Sequence, residues 1–321
     1  MMHKLITITR NTFVETLRQP IYAIIIVAAL LLFLLSPSLA MYTMDDDNKL
    51  LREIGLSTLF LTSLFVAIFS ASGAVALELE NKTITTVLTK PVQRPIFILA
   101  KFLGVIGAVG LAHYLCSVAL LMAIRHGVLE SAADPHDWTV IAAAATVVVL
   151  TVLLSAFFNY VYDWKFSSTA IVVAAVLATG AMVFLAFIDR DWKFNPAKNG
   201  INRLDVAGSV LLFLAAVIIA ALAVALSARF NIVVTLSACI GVFLLGLVSD
   251  YVFGRLAQAH AWAQIGRSLV PNLQIFWISD AIYEGSVVPL KYILITALYT
   301  VCYSTAILAL AVAVFQKRQV G

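Results

Sequence analysis

The sequence predicts an all-α integral membrane protein, a polytopic helical bundle of about eight transmembrane helices. Hydrophobic residues fill 62% of the 321 positions and charged residues only 12%, which gives a mean hydropathy of +1.01. Soluble domains usually carry about 45–50% apolar and about 25% charged residues. This chain therefore has too little polar surface for a water-soluble enzyme of its length. Its three cysteines are also too few for a disulfide-stapled secreted domain.

Apolar runs long enough to cross a bilayer recur along the whole chain. A hydrocarbon core about 30 Å thick requires roughly 20 residues of helix. The runs lack the alternating pattern of transmembrane β-strands, so residues 21–316 are predicted to form a single helical transmembrane domain. The eight predicted spans are residues 21–44, 56–77, 96–124, 139–162, 166–188, 208–228, 230–249 and 292–315.

The segment before the first span, residues 1–20, is predicted to be an amphipathic helix at the membrane surface. In this segment Ile6 and Phe13 are interleaved with charges such as Lys4. Because eight spans put both termini on one side, the basic N-terminal flank predicts that both termini are cytoplasmic. We therefore expect a multi-pass protein of the cell (inner) membrane. The basic loop at 189–205, on the opposite side, is the exception to this charge rule.

Ionisable side chains inside the predicted spans are few. Lys101 lies near the start of its span, where its long side chain can reach the interface, whereas His113 lies deep. His113 is predicted either to hydrogen-bond between helices as a neutral imidazole or to contact a substrate in a transport pathway. The sequence contains no Gly-Lys pair for a nucleotide-binding P-loop, no HExxH and no GxSxG. We therefore expect no catalytic residues and no metal site in this chain.

The connection between the second and third spans, residues 78–95, carries the most informative pattern. Glu78 and Glu80 mark the exit from the second span, and a short helix with one apolar stripe is predicted after them. Pro91 ends this helix, and Pro95 suits the first turn of the next span. The apolar stripe consists of Ile84, Val87 and Leu88. A compact helix of this kind has a face that can dock on another protein.

The chain resembles the permease subunits of ABC-2 type transporters. The resemblance is carried by ELENKTITTVLTKPVQRPIFILAKFLG at residues 78–104 and by TRNTFVETLRQP at residues 9–20. It is specific through the third span, and the remainder of the chain matches in architecture more than in motif. The resemblance implies that residues 83–89 form a cytoplasmic coupling helix seated in a groove of a separate ATPase subunit. The residues implied at or around this contact are Glu78, Glu80, Thr83, Ile84, Val87, Leu88, Lys90, Pro91 and Arg94.

The same resemblance implies a function and a set of partners. The chain would be the membrane subunit of an ABC exporter, working with a second permease copy or a related permease and with two ATPase subunits. ATP and Mg²⁺ would be bound by the ATPase partner, so we expect no cofactor in this chain. The lipid bilayer is its expected surrounding, and no nucleic acid partner is expected.

Two features go beyond the simplest architecture of the family, in which small permeases commonly have six spans. LSAFFN at 154–159 nearly repeats as LSARFN at 226–231, which predicts that the hairpins at 139–188 and 208–249 are a duplication. Residues 254–289 are too polar to span and are predicted to form an amphipathic segment on the outer face.

Three other functional classes stay open at this level. An ion-coupled secondary transporter or channel is disfavoured by the scarcity of carboxylates within the spans. A polytopic membrane enzyme is disfavoured because no nucleophile or metal set is recognised. A non-transporting membrane scaffold is not separated from a permease by any residue pattern.

Overall fold

The part of this chain that the structure describes is built from helices. The computed structural model describes residues 2–40, 47–76, 93–128, 136–196, 199, 202–254, 260–283 and 286–316. Within these ranges every regular element is a helix, and one isolated bridge joins the extended backbone of Ile188 and Phe194. The all-α prediction is confirmed.

Eleven α-helices follow one another in the described ranges, and they are numbered here in chain order. They are α1 (Met2–Leu17), α2 (Pro20–Ala40), α3 (Asp47–Ala71), α4 (Arg94–His126), α5 (Trp138–Tyr162), α6 (Phe166–Phe187), α7 (Arg203–Ser227), α8 (Ile232–Leu247), α9 (Ala261–Leu269), α10 (Ser279–Tyr283) and α11 (Leu290–Gln316). Two π-helical turns, Ser72–Ala76 and Asp250–Gly254, and one 3₁₀ turn, Gln274–Phe276, complete the described elements.

Seven helices of the described chain are long and apolar enough to cross a membrane: α2, α3 with its π turn, α4, α5, α6, α7 and α11. The structure therefore supports a multi-pass membrane protein. The predicted span at 230–249 corresponds to α8, which has only 16 residues and rises about 24 Å, less than the roughly 30 Å of a hydrocarbon core. Length and composition thus support seven spans in the described residues, one fewer than predicted.

The residues at the helix ends explain where several helices begin and stop. Asp137 and Asn231 are N-caps whose side chains accept hydrogen bonds from the first backbone N–H groups of α5 and α8. Pro95 lies in the first turn of α4, and Gly127, with φ of 74°, ends it. Asp163 ends α5 in the left-handed conformation, which aspartate tolerates better than most residues.

The centre of the bundle consists of α3, α4 and α7, which pack against one another. Their most apolar stretches are 67%, 56% and 56% buried within the protein, against 17–28% for α2, α5, α6 and α11. The outer helices expose large apolar side chains, as expected where lipid replaces protein. The hairpin of α5 and α6 packs mainly within itself and reaches the centre chiefly through contacts of α6 with α4.

The helices of the bundle run alternately up and down, so its two ends are made of different residues. At one end, Ser72 after α3 lies 3.3 Å from Ser227 at the end of α7, measured between hydroxyl oxygens. Helix α1 packs against the first half of α4 at this end, which we call the α1 end. At the opposite end, Arg52 near the start of α3 meets Asp205 at the start of α7.

The two six-residue sequences that suggested a duplicated hairpin are not structurally equivalent. Residues 154–159 lie entirely inside α5, whereas residues 226–231 cover the last turn of α7, a short turn and the N-cap of α8. The similarity therefore does not reflect matching positions in the fold.

Residues 260–283, a described part of the predicted outer-face segment at 254–289, fold against the end of the bundle opposite α1. The backbone N–H of Leu273 donates to the Gly246 carbonyl near the end of α8, at 3.0 Å. Tyrosines on one face of α11 hold the same segment: the Tyr303 hydroxyl donates to the Leu269 carbonyl at 2.6 Å, and the Asn272 N–H donates to the Tyr299 hydroxyl at 3.1 Å. The segment is thus an ordered cap on this end.

Candidate functional site

The predicted coupling segment is represented in the structure only by its C-terminal border. Arg94 is the first residue of α4 and is partly buried there. The other eight predicted coupling residues lie outside the described residues. They are Glu78, Glu80, Thr83, Ile84, Val87, Leu88, Lys90 and Pro91.

The last described turn of α3, from which that segment departs, is packed tightly at the α1 end. It is the π turn Ser72–Ala76, a helix type that often marks functional positions. A Cβ added at Gly73 would lie 2.3 Å from Nε2 of Gln19, in the corner between α1 and α2. The π turn after α3 is therefore in direct contact with the corner between α1 and α2.

Helix α1 packs closely against the first half of α4. The Thr9 hydroxyl donates to the Ala100 carbonyl at 3.3 Å, and Thr12 and Thr16 are fully buried. A Cβ at Gly104 would lie 2.6 Å from the Thr12 Cβ and 2.8 Å from the Thr9 carbonyl oxygen. Glycine at this position thus lets the two helices approach closely.

A cleft of about 470 Å³ lies between α1 and α4. Three basic side chains line it, from Arg10, Arg18 and Lys101; we call it the basic cleft. Arg10 and Arg18 are exposed, whereas Lys101 is 2% exposed and its Nζ lies 5.7 Å from the centre of the Phe97 ring. The sequence predicts Lys101 near the interface, and the structure shows in addition that Lys101 makes a cation–π contact with Phe97, which the sequence did not indicate.

His113, the predicted deep histidine, joins the three central helices. Its Nδ1 lies 2.7 Å from the Ser63 hydroxyl on α3, and its Nε2 lies 2.9 Å from the Ser209 carbonyl on α7. A carbonyl only accepts, so Nε2 carries a proton, and Nδ1 of the neutral ring is then an acceptor that shares the Ser63 hydroxyl proton with the Leu59 carbonyl, 2.9 Å from the same hydroxyl oxygen. Ser117, one turn along α4, bonds the Ser209 hydroxyl at 2.6 Å. These hydrogen bonds between helices explain why a polar histidine lies at this depth. Its alternative role as a contact in a transport pathway stays a prediction.

The end opposite α1 contains a charged group that sequence reasoning missed. It comprises Arg52, Arg125, Asp137, Arg190 and Asp205, which line one cavity of about 400 Å³; we call it the arginine–aspartate cluster. The Arg52 Nε lies 3.2 Å from an oxygen of Asp205, whose side chain is 5% exposed. This pair joins the start of α3 to the start of α7.

Asp137 is the centre of the cluster, and its side chain is fully buried. Its Oδ1 accepts from the N–H groups of Thr139 and Val140, both at 3.2 Å, and so caps α5. Its Oδ2 faces two guanidinium groups, with Nε of Arg190 at 3.4 Å and Nε of Arg125 at 3.7 Å. One carboxylate therefore both starts a helix and stabilises two neighbouring guanidinium groups with its single negative charge.

The two arginines beside Asp137 also complete the ends of neighbouring helices. Arg125 donates to the Leu185 carbonyl and, at 2.5 Å, to the Ile188 carbonyl at the end of α6. Arg190 donates to the carbonyls of Arg125 and His126 in the last turn of α4, both at 3.2 Å. Cations at helix C-termini satisfy free carbonyls and complement the helix dipole. The cluster therefore binds the ends of α4 and α6 to the start of α5.

One sequence signal could have indicated this cluster: Asp137 directly precedes an apolar run, in an Asp-x-Thr sequence typical of an N-cap. Its arginine partners lie in the last turn of α4 and in the loop after α6, and they have no shared spacing. The described side chains of the two cavities are cations, carboxylates, amides, one hydroxyl and apolar groups, which suit electrostatic binding and helix docking. No family model, no curated protein and no solved structure matches this chain.

Proposed function

We propose that this chain is the membrane subunit of an ABC-2 type transporter, in which ATP hydrolysis by a separate ATPase drives movement of a substrate across the membrane. The observation that carries the proposal is which described helices flank residues 78–95 in the chain. The resemblance identifies these residues as a coupling segment, and they connect α3 to α4, two of the three central helices. A force applied to this connection acts directly on the core of the bundle.

The packing around this connection supports a role in transmitting movement. The turn before it contacts Gln19 at the α1–α2 corner, and the helix after it contacts α1 through Thr9 and Gly104. Helices α1, α2, α3 and α4 therefore meet at the place where the proposed ATPase would exert force. A ligand shifts a conformational equilibrium only if it binds one state better than another, so the nucleotide state of the ATPase would select between arrangements of this end.

The charges of the bundle support the proposed orientation, with the α1 end in the cytoplasm. Four arginines on the opposite side, Arg52, Arg125, Arg190 and Arg267, form ion pairs with aspartates. Three aspartates offset most of this positive charge within the protein, which reduces the weight of these arginines in the positive-inside rule. The α1 end would then face the compartment that supplies ATP. The proposed assembly has two ATPase subunits and a second permease bundle, because one chain supplies a single coupling segment.

The proposal is tested by purifying the tagged full chain from its native host and assaying the material for a co-purifying ATPase. We expect Leu88→Asp, which puts a charge on the predicted docking stripe, to lower ATPase recovery at least about tenfold, since a buried unpaired charge in an interface costs several kcal/mol. Thr86→Asp, on the opposite side of the predicted helix, is the matched control and should keep recovery near that of the wild type. A wild-type chain that recovers no ATPase would contradict the proposal.

A further inference from the structure

The basic cleft at the α1 end has the charge expected of an anion site. Among the described residues that line it, Arg10, Arg18 and Lys101 are basic and none is acidic. Arginine guanidinium groups and a lysine ammonium are the side chains that most often hold phosphate oxygens in proteins. The exposed Arg10 and Arg18 are accessible to a ligand, and the buried Lys101 places positive charge deeper in the cleft.

The cleft is also amphipathic. Thr7 and Asn11 add hydrogen-bonding groups on the same face of α1 as Arg18, at helical spacings of four and seven residues. The apolar side chains of Ile8, Val14 and Phe97 complete the lining. A soluble anion gains nothing from apolar walls, whereas a lipid has a charged headgroup joined directly to an apolar body. The composition therefore favours a phospholipid over free phosphate.

The position of the cleft matches the depth of a headgroup. Arg18 lies just before Pro20, where α2 begins its apolar run, and Lys101 lies in the second turn of α4 after Arg94. Along α1, Arg10 and Arg18 are separated by about 12 Å, so the cations are distributed over the width of a headgroup. The cleft therefore lies where the polar surface of the protein meets its membrane-spanning part.

We propose that the basic cleft binds the phosphate group of an anionic phospholipid from the leaflet at the α1 end. Arg10 and Arg18 contact the phosphate oxygens, Lys101 supplies positive charge from below, and Ile8, Val14 and Phe97 contact the glycerol and the first acyl carbons. A lipid held in this way bridges α1 to α4 and stabilises their packing. The proposal requires only a membrane-spanning chain, so it is independent of any ATPase partner.

The test measures the thermal unfolding midpoint of the delipidated full chain in mild detergent during titration with short-chain phosphatidylglycerol. A ligand that binds only the folded state raises the midpoint as its concentration increases. We expect Arg10→Gln/Arg18→Gln to weaken the apparent affinity about thirtyfold, or about fivefold for each cation. Lys165→Gln/Arg229→Gln is the matched control, because both residues are exposed in turns at the same end but outside the cleft. This control should bind phosphatidylglycerol like the wild type.

Two further ligands distinguish the sources of the anion. Phosphatidylcholine, which carries no net charge, should raise the midpoint much less than phosphatidylglycerol. Inorganic phosphate at the same concentration should also have little effect, because it lacks the apolar part. An equal response to phosphatidylcholine, a full response to inorganic phosphate, or unchanged phosphatidylglycerol affinity in the Arg10→Gln/Arg18→Gln protein would each overturn the proposal.

Discussion

At the end of the bundle opposite α1, buried aspartates lie within ion-pair distance of arginines from other helices, whereas the described lining of the cleft at the α1 end is basic. The first arrangement buries the two aspartates, whose charges must be compensated in place by arginines that keep part of their surface in contact with solvent. The second leaves Arg10 and Arg18 exposed, where water stabilises each charge separately. The comparison teaches that the same residue types hold helix ends together at one end and remain accessible for binding at the other.

The largest expected effect of a substitution is at Asp137. Asn in its place keeps an oxygen that can cap α5 but removes the charge that compensates Arg125 and Arg190. We expect Asp137→Asn to lower the free energy of unfolding by about 3 kcal/mol, as for one partner of a buried ion pair. The measurement is thermal unfolding in detergent micelles.

Asp163→Asn provides the control for that experiment. Asp163 is exposed and left-handed, with φ of 53°, a conformation that asparagine also adopts readily. Its unfolding free energy should stay within about 0.5 kcal/mol of the wild type. If Asp137→Asn were equally neutral, the arginine–aspartate cluster would not stabilise its end of the bundle.

A smaller loss is expected where α1 approaches α4. Gly104→Ala introduces a methyl group 2.6 Å from the Thr12 Cβ and 2.8 Å from a backbone oxygen, so the helices must separate. Overpacking of this kind costs about 1–3 kcal/mol, measured as a lower unfolding midpoint and as faster hydrogen exchange in α1. Gly180→Ala is the matched control, because its Cβ would meet no atom within 4 Å. That control should be neutral or slightly stabilising; similar losses in both proteins would contradict the close packing of α1.

The smallest effect is expected for the two exposed arginines of the basic cleft. In lipid-free detergent, Arg10→Gln/Arg18→Gln should change the free energy of unfolding by less than about 0.5 kcal/mol, because both side chains are exposed. Thermal unfolding next to Asp137→Asn tests this directly. A loss as large as that of Asp137→Asn would mean that the charges of both ends are structural.

The sequence predicted the helices better than their ends. In a bilayer, a run of about 20 apolar residues satisfies its backbone hydrogen bonds internally by forming a helix. The positions of six helices were therefore predictable, namely those of α2, α4, α5, α6, α7 and α11. Helix α3, however, begins at Asp47 rather than near residue 56, because Leu51 is buried and Arg52 is paired with Asp205. Helix α8 stops early, where the chain leaves the α-helical conformation at Val248. Both ends depend on tertiary contacts that local hydropathy does not contain.

The functional residues were likewise only partly predictable from the sequence. His113 stood out because one ionisable residue in a long apolar run is unusual, and its hydrogen bonds between helices agree with the simpler of its two predicted roles. Asp137 and its arginines did not stand out, because each lies at the edge of a span, where charge is ordinary. Only the fold brings an arginine from the last turn of α4 and another from the loop after α6 to one carboxylate.

The dependence of Asp137 on two arginines has a consequence for the order of assembly during synthesis. Arg125 is translated shortly before Asp137, but Arg190 follows only after the whole α5–α6 hairpin. Since α5 and α6 pack chiefly on each other, the hairpin can enter the membrane as a pair while its aspartate still lacks one partner. The loop after α6 then delivers Arg190 to the last turn of α4. Arg190 therefore both completes the charge environment of Asp137 and ties the loop after the hairpin to an earlier helix of the chain.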